Sequence, residues 1–367
     1  MTGHVDDPFL RGAHPVGVVT RRWTDGSRGR TLPVEIYYPA ADAYAGQDLD
    51  PRTQDEFLPP GGFTGTQPKK QAAVRDAKER PGSHPVVLFA HGYAGDRREC
   101  GFLCTHLASH GFRVVSADHV GSTFTDVELH LARPDFDIYE TAPQMIADRF
   151  ADVPFMLAEA EKEFSTIIES AGVTGVSLGG WTSYIAPSCD DRVRVIVPLA
   201  PAGAEGPLSV NGPNIAGDAL DWKWRSDVSV MTLAADRDAW LPLYGQLKMF
   251  EACPAKDKLL VVLKDADHEH FCDDLGTSHE ALREFTRSLA EADQSPRRPP
   301  WAAVAAMMLP YSRLMQEAEM NRIVAGLTTL QMSRVLRRPA TYGSLDAAAL
   351  RRELQARNLS AYVLELS

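Results

Sequence analysis

No long apolar run is present: the longest, Trp301 to Pro310, is too short to span a bilayer. The opening residues, Met1-Thr2-Gly3-His4-Val5-Asp6-Asp7, are acidic and lack an apolar core, so no signal peptide is expected. Cysteine is scarce, five in 367 residues, odd in number and without metal-type spacing, which excludes a disulfide framework. Cys100 and Cys104 stand four apart and can share a helix face, a spacing that buried packing also gives; reduced structural thiols in a cytoplasm are the expectation. Positive charge is short as well, with 38 Lys and Arg against 49 Asp and Glu and a net charge of −11. No basic cluster could neutralise a row of phosphates, so nucleic acid is excluded as a partner. Internal repeats and single-sign charge blocks are absent.

What is present is an ordinary globular composition, 44% hydrophobic and 24% charged. The apolar pattern alternates strands with helices, which predicts an α/β fold with a mostly parallel central sheet covered on both faces. Val16–Thr20 and Leu32–Tyr38 read as an opening antiparallel pair around Asp25-Gly26-Ser27, and residues 41–84 as a polar surface excursion. Val86-Val87-Leu88-Phe89 reads as a central buried strand. A helix over Cys100–His110 stops at Gly111, and Phe112–Ala117 is the next strand. Residues 140–165 carry helical periodicity, with Pro154 expected to kink or restart the helix. Val173–Val176, Val193–Leu199, Val228–Leu233 and Lys258–Leu263 supply further strands. Helices around Gln316–Arg337 and Asp346–Asn358 close a chain expected to form one domain over residues 1–367.

The most informative stretch is Gly175-Val176-Ser177-Leu178-Gly179, a G-x-S-x-G run between a strand and a helix. Such an elbow exposes a serine hydroxyl, and its tightness excludes side chains at the flanking positions. The Leu178 N–H at the helix start can hold an oxyanion. A serine nucleophile needs a base, and the base needs a carboxylate. One later strand runs into Asp236-Arg237-Asp238 and the next into Asp265-Ala266-Asp267-His268-Glu269-His270, so the order Ser, acid, His is satisfied while either aspartate and either histidine could serve.

With these segments the chain resembles the dienelactone-hydrolase-like and platelet-activating-factor-acetylhydrolase-like branch of the α/β-hydrolases. The resemblance rests on Thr31-Leu32-Pro33-Val34-Glu35-Ile36-Tyr37-Tyr38-Pro39, Phe89-Ala90-His91-Gly92-Tyr93, Leu107-Ala108-Ser109-His110-Gly111-Phe112 and the elbow. It implies an α/β-hydrolase fold, and it selects Asp238, four residues before Pro242, and His268, three before Phe271. It also implies that the Tyr93 N–H completes the oxyanion hole. The chain departs from the acetylhydrolases after Val193–Leu199, where no carboxylate occurs until Glu205. The expected activity is hydrolysis of small carboxylic esters, or of thioesters or lactones, through an acyl-enzyme on Ser177, without metal or organic cofactor. An acyltransferase or cyclase using the same triad, and a silent binding protein on this scaffold, are the alternatives.

Trp181, Trp240, Phe124 and Trp301 are candidates to line an apolar substrate pocket, with Trp222 and Trp224 beside them. Asp265, Asp267, His268, His270, Asp273 and Asp274 resemble a metal cluster but lack a three-ligand spacing. Asp118-His119 is expected to be a structural turn, and Arg149 with Asp152 a solvated or packing pair at i, i+3. Residues 278–314 form a helical insertion, broken at Gln294-Ser295-Pro296-Arg297-Arg298-Pro299-Pro300. Its Trp301–Pro310 helix, apolar nearly all round, must be covered. It either packs on the domain or forms a lid over the acyl pocket.

Overall fold

Strands and helices alternate in a computed structural model that describes residues 7–61, 65–131, 138–292, 299–337 and 345–365. The strands are β1 (Val16–Asp25), β2 (Arg30–Pro39), β3 (Asp55–Phe57), β4 (Lys69–Gln71), β5 (Val74–Arg75), β6 (Val86–Ala90), β7 (Arg113–Ala117), β8 (Ala171–Val176), β9 (Val193–Leu199), β10 (Ser229–Ala235), β11 (Lys258–Leu263) and β12 (Ala361–Leu364). The helices are α1 (Gly101–Ser109), α2 (Phe124–Leu131), α3 (Ile138–Phe164), α4 (Leu178–Cys189), α5 (Ile215–Asp218), α6 (Leu243–Ala252), α7 (Leu275–Ala292), α8 (Trp301–Met307), α9 (Glu317–Leu336) and α10 (Ala347–Ala356).

Ten strands form one sheet in the order β12-β11-β10-β9-β8-β6-β7-β2-β1-β5. From β11 to β7 every pairing is parallel, and β12, β2 and β1 join antiparallel to their inner neighbours. The central strands have no solvent face: every residue of β6, β8 and β10 is buried, which is why they read as continuous apolar runs. Alternate side chains serve two cores. Val87 and Phe89 pack with α1, α9 and α10, whereas Val86 and Leu88 pack with α3 and α4.

The parallel register brings the strand ends level, with Ala90 opposite Gly175, Val176 opposite Leu199 and Ala235 opposite Leu263. The loops after β6, β8, β10 and β11 therefore leave from one edge, and they carry His91-Gly92-Tyr93, Ser177, Asp238 and His268. In open α/β sheets this carboxyl edge is where ligands bind.

Several expectations need correction. Helix α3 runs unbroken through Pro154 and also contains Pro143; its packing on the sheet outweighs the backbone bond that each proline removes. Residues 41–84 do not only skirt the surface, because β5 pairs with β1 and Asp48, Asp55 and Gln71 are buried. Gln71 accepts from the Tyr37 hydroxyl (2.9 Å) and donates to Asp55 (2.6 Å), which pins the excursion to the sheet. Strand β12 gave no clear sequence signal, being four residues after a helix. In the insertion, α8 is not covered all round: Val304 is buried, while Ala302, Ala303, Ala306 and Met307 are exposed. Of the break before it, residues 294–298 lie outside the described residues.

Candidate active site

The elbow is built by close approach. A Cβ on Gly175 or Gly179 would overlap the Ala90 carbonyl, and one on Gly180 would stand 2.8 Å from the Leu199 carbonyl. Only glycine lets α4 begin this near β6 and β9. Ser177 itself has φ 55° and ψ −115°, a strained conformation for a side-chain-bearing residue. Backbone bonds hold it there: its N–H donates to Leu199 (2.9 Å) and its carbonyl accepts from Trp181 (3.0 Å) and Ala202 (2.8 Å).

His268 and Asp238 are brought together. The His268 Nδ1 lies 2.9 Å from the Asp238 Oδ2, and the other carboxylate oxygen accepts from the N–H groups of Trp240 (3.0 Å) and Leu241 (2.7 Å). Burial alone would lower the His268 pKa. The charge and hydrogen bond of Asp238 overcome it and raise the value to about 9. The Ser177 hydroxyl makes no hydrogen bond to His268, or to any other group among the described residues; such contacts are often loose before substrate binds.

The competing residues lie elsewhere. Asp236 accepts weakly from the Ala266 N–H (3.3 Å). His270 is buried, with Nδ1 accepting from the Asp267 N–H (2.9 Å) and Nε2 against the Met315 carbonyl (3.1 Å). Asp267 accepts from the N–H groups of Ala239 (3.1 Å) and His268 (2.7 Å), which ties the acid turn to the histidine turn. The remaining members of the metal-like run also have structural tasks. Asp273 caps α1 through Gly101 (2.7 Å) and Phe102 (3.1 Å), and Asp274 pairs with Lys69. Among the described residues the one group with metal-like convergence is Glu99, Cys100 and Cys272. There Glu99 accepts from the Gly92 N–H (2.7 Å), and the Cys100 thiol donates to the Phe271 carbonyl (2.9 Å). All five cysteines are free.

Tyr93 and Leu178 keep their N–H groups out of the backbone bonding of their own loop and helix: neither donates to another backbone group in the turns, loops and caps described. The two segments face each other, since a Cβ on Gly92 would stand 3.5 Å from the Ser177 Cβ. Beside Tyr93 opens a cavity of about 100 Å³, with Phe57, Pro59 and Phe124 on its apolar side and Glu99, Glu269 and Asp273 among its acids. Burial raises the Glu99 pKa to about 8 and the Asp273 pKa to about 7.

The aromatic candidates separate. Phe124 lines this cavity. Trp181 is fully buried behind the elbow, its indole N–H donating to the Ala216 carbonyl (2.7 Å), and is a packing residue. Trp240 and Trp301 pack against one another at a tilt of 48° with centroids 5.1 Å apart, and Trp240 donates to Thr286 (3.1 Å). With Ala239, Leu282, Val304 and Met308 they form a small core under the turn that carries Asp238. Trp222 packs edge-on against Tyr184 and at a tilt against Trp224.

Two groups were misread from sequence. Arg149 and Asp152 do not pair with each other and are not solvated; both are fully buried. Asp152 binds His119 (2.8 Å), Arg28 (2.9 Å) and Arg30 (3.0 Å), so that His119 is held by the α3 carboxylate, while Asp118 pairs with Arg97. The sequence offered only an i, i+3 spacing, which is equally common on exposed helices.

Residues 63–125, from the excursion through the His91-Gly92-Tyr93 loop to the start of α2, match the family described as platelet-activating factor acetylhydrolase, isoform II. The ferulic acid esterase from Streptomyces cinnamoneus superposes with a TM-score of 0.58 at 18% identity, covering 96% of both chains. A protein titled a dienelactone hydrolase, from Klebsiella pneumoniae subsp. pneumoniae, covers 76% of this chain and all of its own at 16% identity, with a TM-score of 0.41. No curated protein matches. No helix among the described residues is long and apolar enough to cross a membrane. Sheet order, elbow and a superposition over 96% of the chain together show that it has the α/β-hydrolase fold.

Proposed function

We propose that the protein is a serine hydrolase of small carboxylic esters. The observation that carries this reading is the His268–Asp238 hydrogen bond, on the same sheet edge as a strained serine flanked by two N–H groups free of backbone bonding. Ser177 attacks the ester carbonyl while His268 takes its proton, and Asp238 holds the imidazole with Nδ1–H toward the carboxylate. The Tyr93 and Leu178 N–H groups receive the oxyanion, each contributing about 3 kcal/mol to the transition state. The protonated His268 then donates to the leaving alcohol, and the same imidazole activates the water that releases the acid. One substituent of the ester seats in the cavity beside Tyr93, against Phe57 and Phe124.

A fluorophosphonate probe read by intact mass tests the reading, alongside turnover of p-nitrophenyl acetate, butyrate and octanoate. One adduct, lost in Ser177→Ala together with turnover, is the expected result. A folded wild type that takes no adduct and turns over none of the esters would refute it.

A further inference from the structure

Arg149 on α3 is a guanidinium buried to 0% exposure, and no carboxylate lies within ion-pair distance of it among the described residues. Its bonds go to neutral groups that share a location. One nitrogen donates to the His91 carbonyl (2.9 Å) and to the Thr182 hydroxyl (3.2 Å). The other donates to the Ser122 hydroxyl (2.9 Å) and, at the longer distance of 3.4 Å, to the Gly92 carbonyl. Thr182 in turn donates to the Leu178 carbonyl (2.9 Å). The cation thus ties the His91-Gly92-Tyr93 loop to the first turn of α4.

The two peptide planes of the loop are held unequally. The His91–Gly92 peptide is bound at both ends, its carbonyl by Arg149 and its N–H by Glu99 (2.7 Å). The Gly92–Tyr93 peptide is bound at its carbonyl end by the His91 ring, 2.7 Å away, by Arg149 and by the Gly95 N–H (3.4 Å). The His119 N–H donates to the His91 Nε2 (2.9 Å), so the proton of that ring sits on Nδ1 and points at the Gly92 carbonyl. The other end of this second peptide is the Tyr93 N–H, which has no backbone acceptor in the loop. A trans peptide is rigid, so fixing its carbonyl fixes the direction of its N–H.

We propose that Arg149 is a positioning residue for oxyanion stabilisation: it holds the Gly92–Tyr93 peptide so that the Tyr93 N–H meets the oxygen of an ester attacked by Ser177. This rests on the esterase reading above. Burial lowers the Arg149 pKa to about 9, the mark of a charge held at a cost in a dry site. The charge lies at the carbonyl end of the Gly92–Tyr93 peptide, whose free N–H end receives negative charge only as the tetrahedral intermediate forms. The benefit therefore appears in the transition state and not in substrate binding.

The test uses the full chain with Arg149→Met and Arg149→Lys, measured beside wild type and Ser177→Ala. Circular dichroism melting establishes that each variant folds. In Arg149→Met, kcat for p-nitrophenyl butyrate falls about 100-fold, the scale of a lost oxyanion donor, while KM changes less than about threefold. Affinity for a boronic acid that forms a tetrahedral adduct on serine falls by the same factor as kcat/KM. Arg149→Lys, which keeps the charge but not the fork, is intermediate. If Arg149→Met does not fold, Arg149→Lys and Ser122→Ala carry the test, with kcat falling roughly tenfold at unchanged KM. A folded variant with wild-type kcat, or one whose loss is all in KM with boronate affinity intact, overturns the proposal. An inactive wild type overturns the esterase reading and this inference with it, whereas an active wild type with insensitive Arg149 variants overturns this inference alone.

Discussion

Asp238→Asn separates the charge of the acid from its shape. The substituted side chain keeps its Oδ1 on the Trp240 and Leu241 N–H groups, because those donors have no other acceptor in the turn. Its amide NH2 then replaces the oxygen that stands 2.9 Å from His268 Nδ1. That nitrogen must become an acceptor, so the ring proton moves to Nε2 and cannot be replaced by the proton of Ser177. Loss of the correct tautomer costs about 10⁴-fold in acylation. The charge has its own signature. Raising His268 from 6.5 to about 9 amounts to about 3 kcal/mol in favour of the imidazolium, net of the burial that opposes it. Without the Asp238 carboxylate only the weaker fields of Glu269 and Asp267 oppose burial, and the pKa falls from about 9. The assay is kcat/KM for p-nitrophenyl butyrate from pH 5.5 to 10, with an NMR titration of the imidazole. Wild-type activity rises with a limb near pH 9, whereas the acid limb of the residual Asp238→Asn activity lies at lower pH. Stability follows the opposite sense. A folded pKa above the unfolded one stabilises the protein fully below pH 6.5, and this contribution is lost as pH rises through about 9. A wild-type acid limb at or below 6.5, or one left in place by Asp238→Asn, would refute the assignment of Asp238 as the partner.

Gly179→Ala drives a methyl into the Ala90 carbonyl; a stability loss of about 3 kcal/mol in urea unfolding and loss of fluorophosphonate labelling are expected, and a variant with wild-type labelling would show that the elbow can relax. Trp301→Ala removes one half of the Trp240–Trp301 pair under the Asp238 turn; melting should show a loss of about 2 kcal/mol, with the preference among acetate, butyrate and octanoate esters unchanged, and an altered preference would instead point to a lid.

The elbow was legible because its steric demands are local: glycines around a serine between a strand and a helix describe one backbone geometry. The opening hairpin and the buried central strands were legible for a similar reason, since period and apolar content follow from which faces are covered. The late insertion was located but not understood. Its aromatic residues looked like pocket lining, and in the fold Trp301 spends its apolar area on Trp240. Phe57 and Pro59, which line the cavity, lay inside a segment whose polar composition signalled only surface.

The sequence by itself determined the architecture and the order of the candidate serine, acid and histidine, because strand period, glycine spacing and the ends of apolar runs are written in neighbouring residues. A resemblance had favoured Asp238 and His268, but their 2.9 Å contact, the burial of Trp181 in the core and the placement of Arg149 behind the Gly92–Tyr93 peptide were decided by tertiary structure. Each of those outcomes depends on distance and solvent exclusion between segments far apart in the chain. The same arginine is an unremarked surface charge in one packing and a buried cation on backbone carbonyls in another.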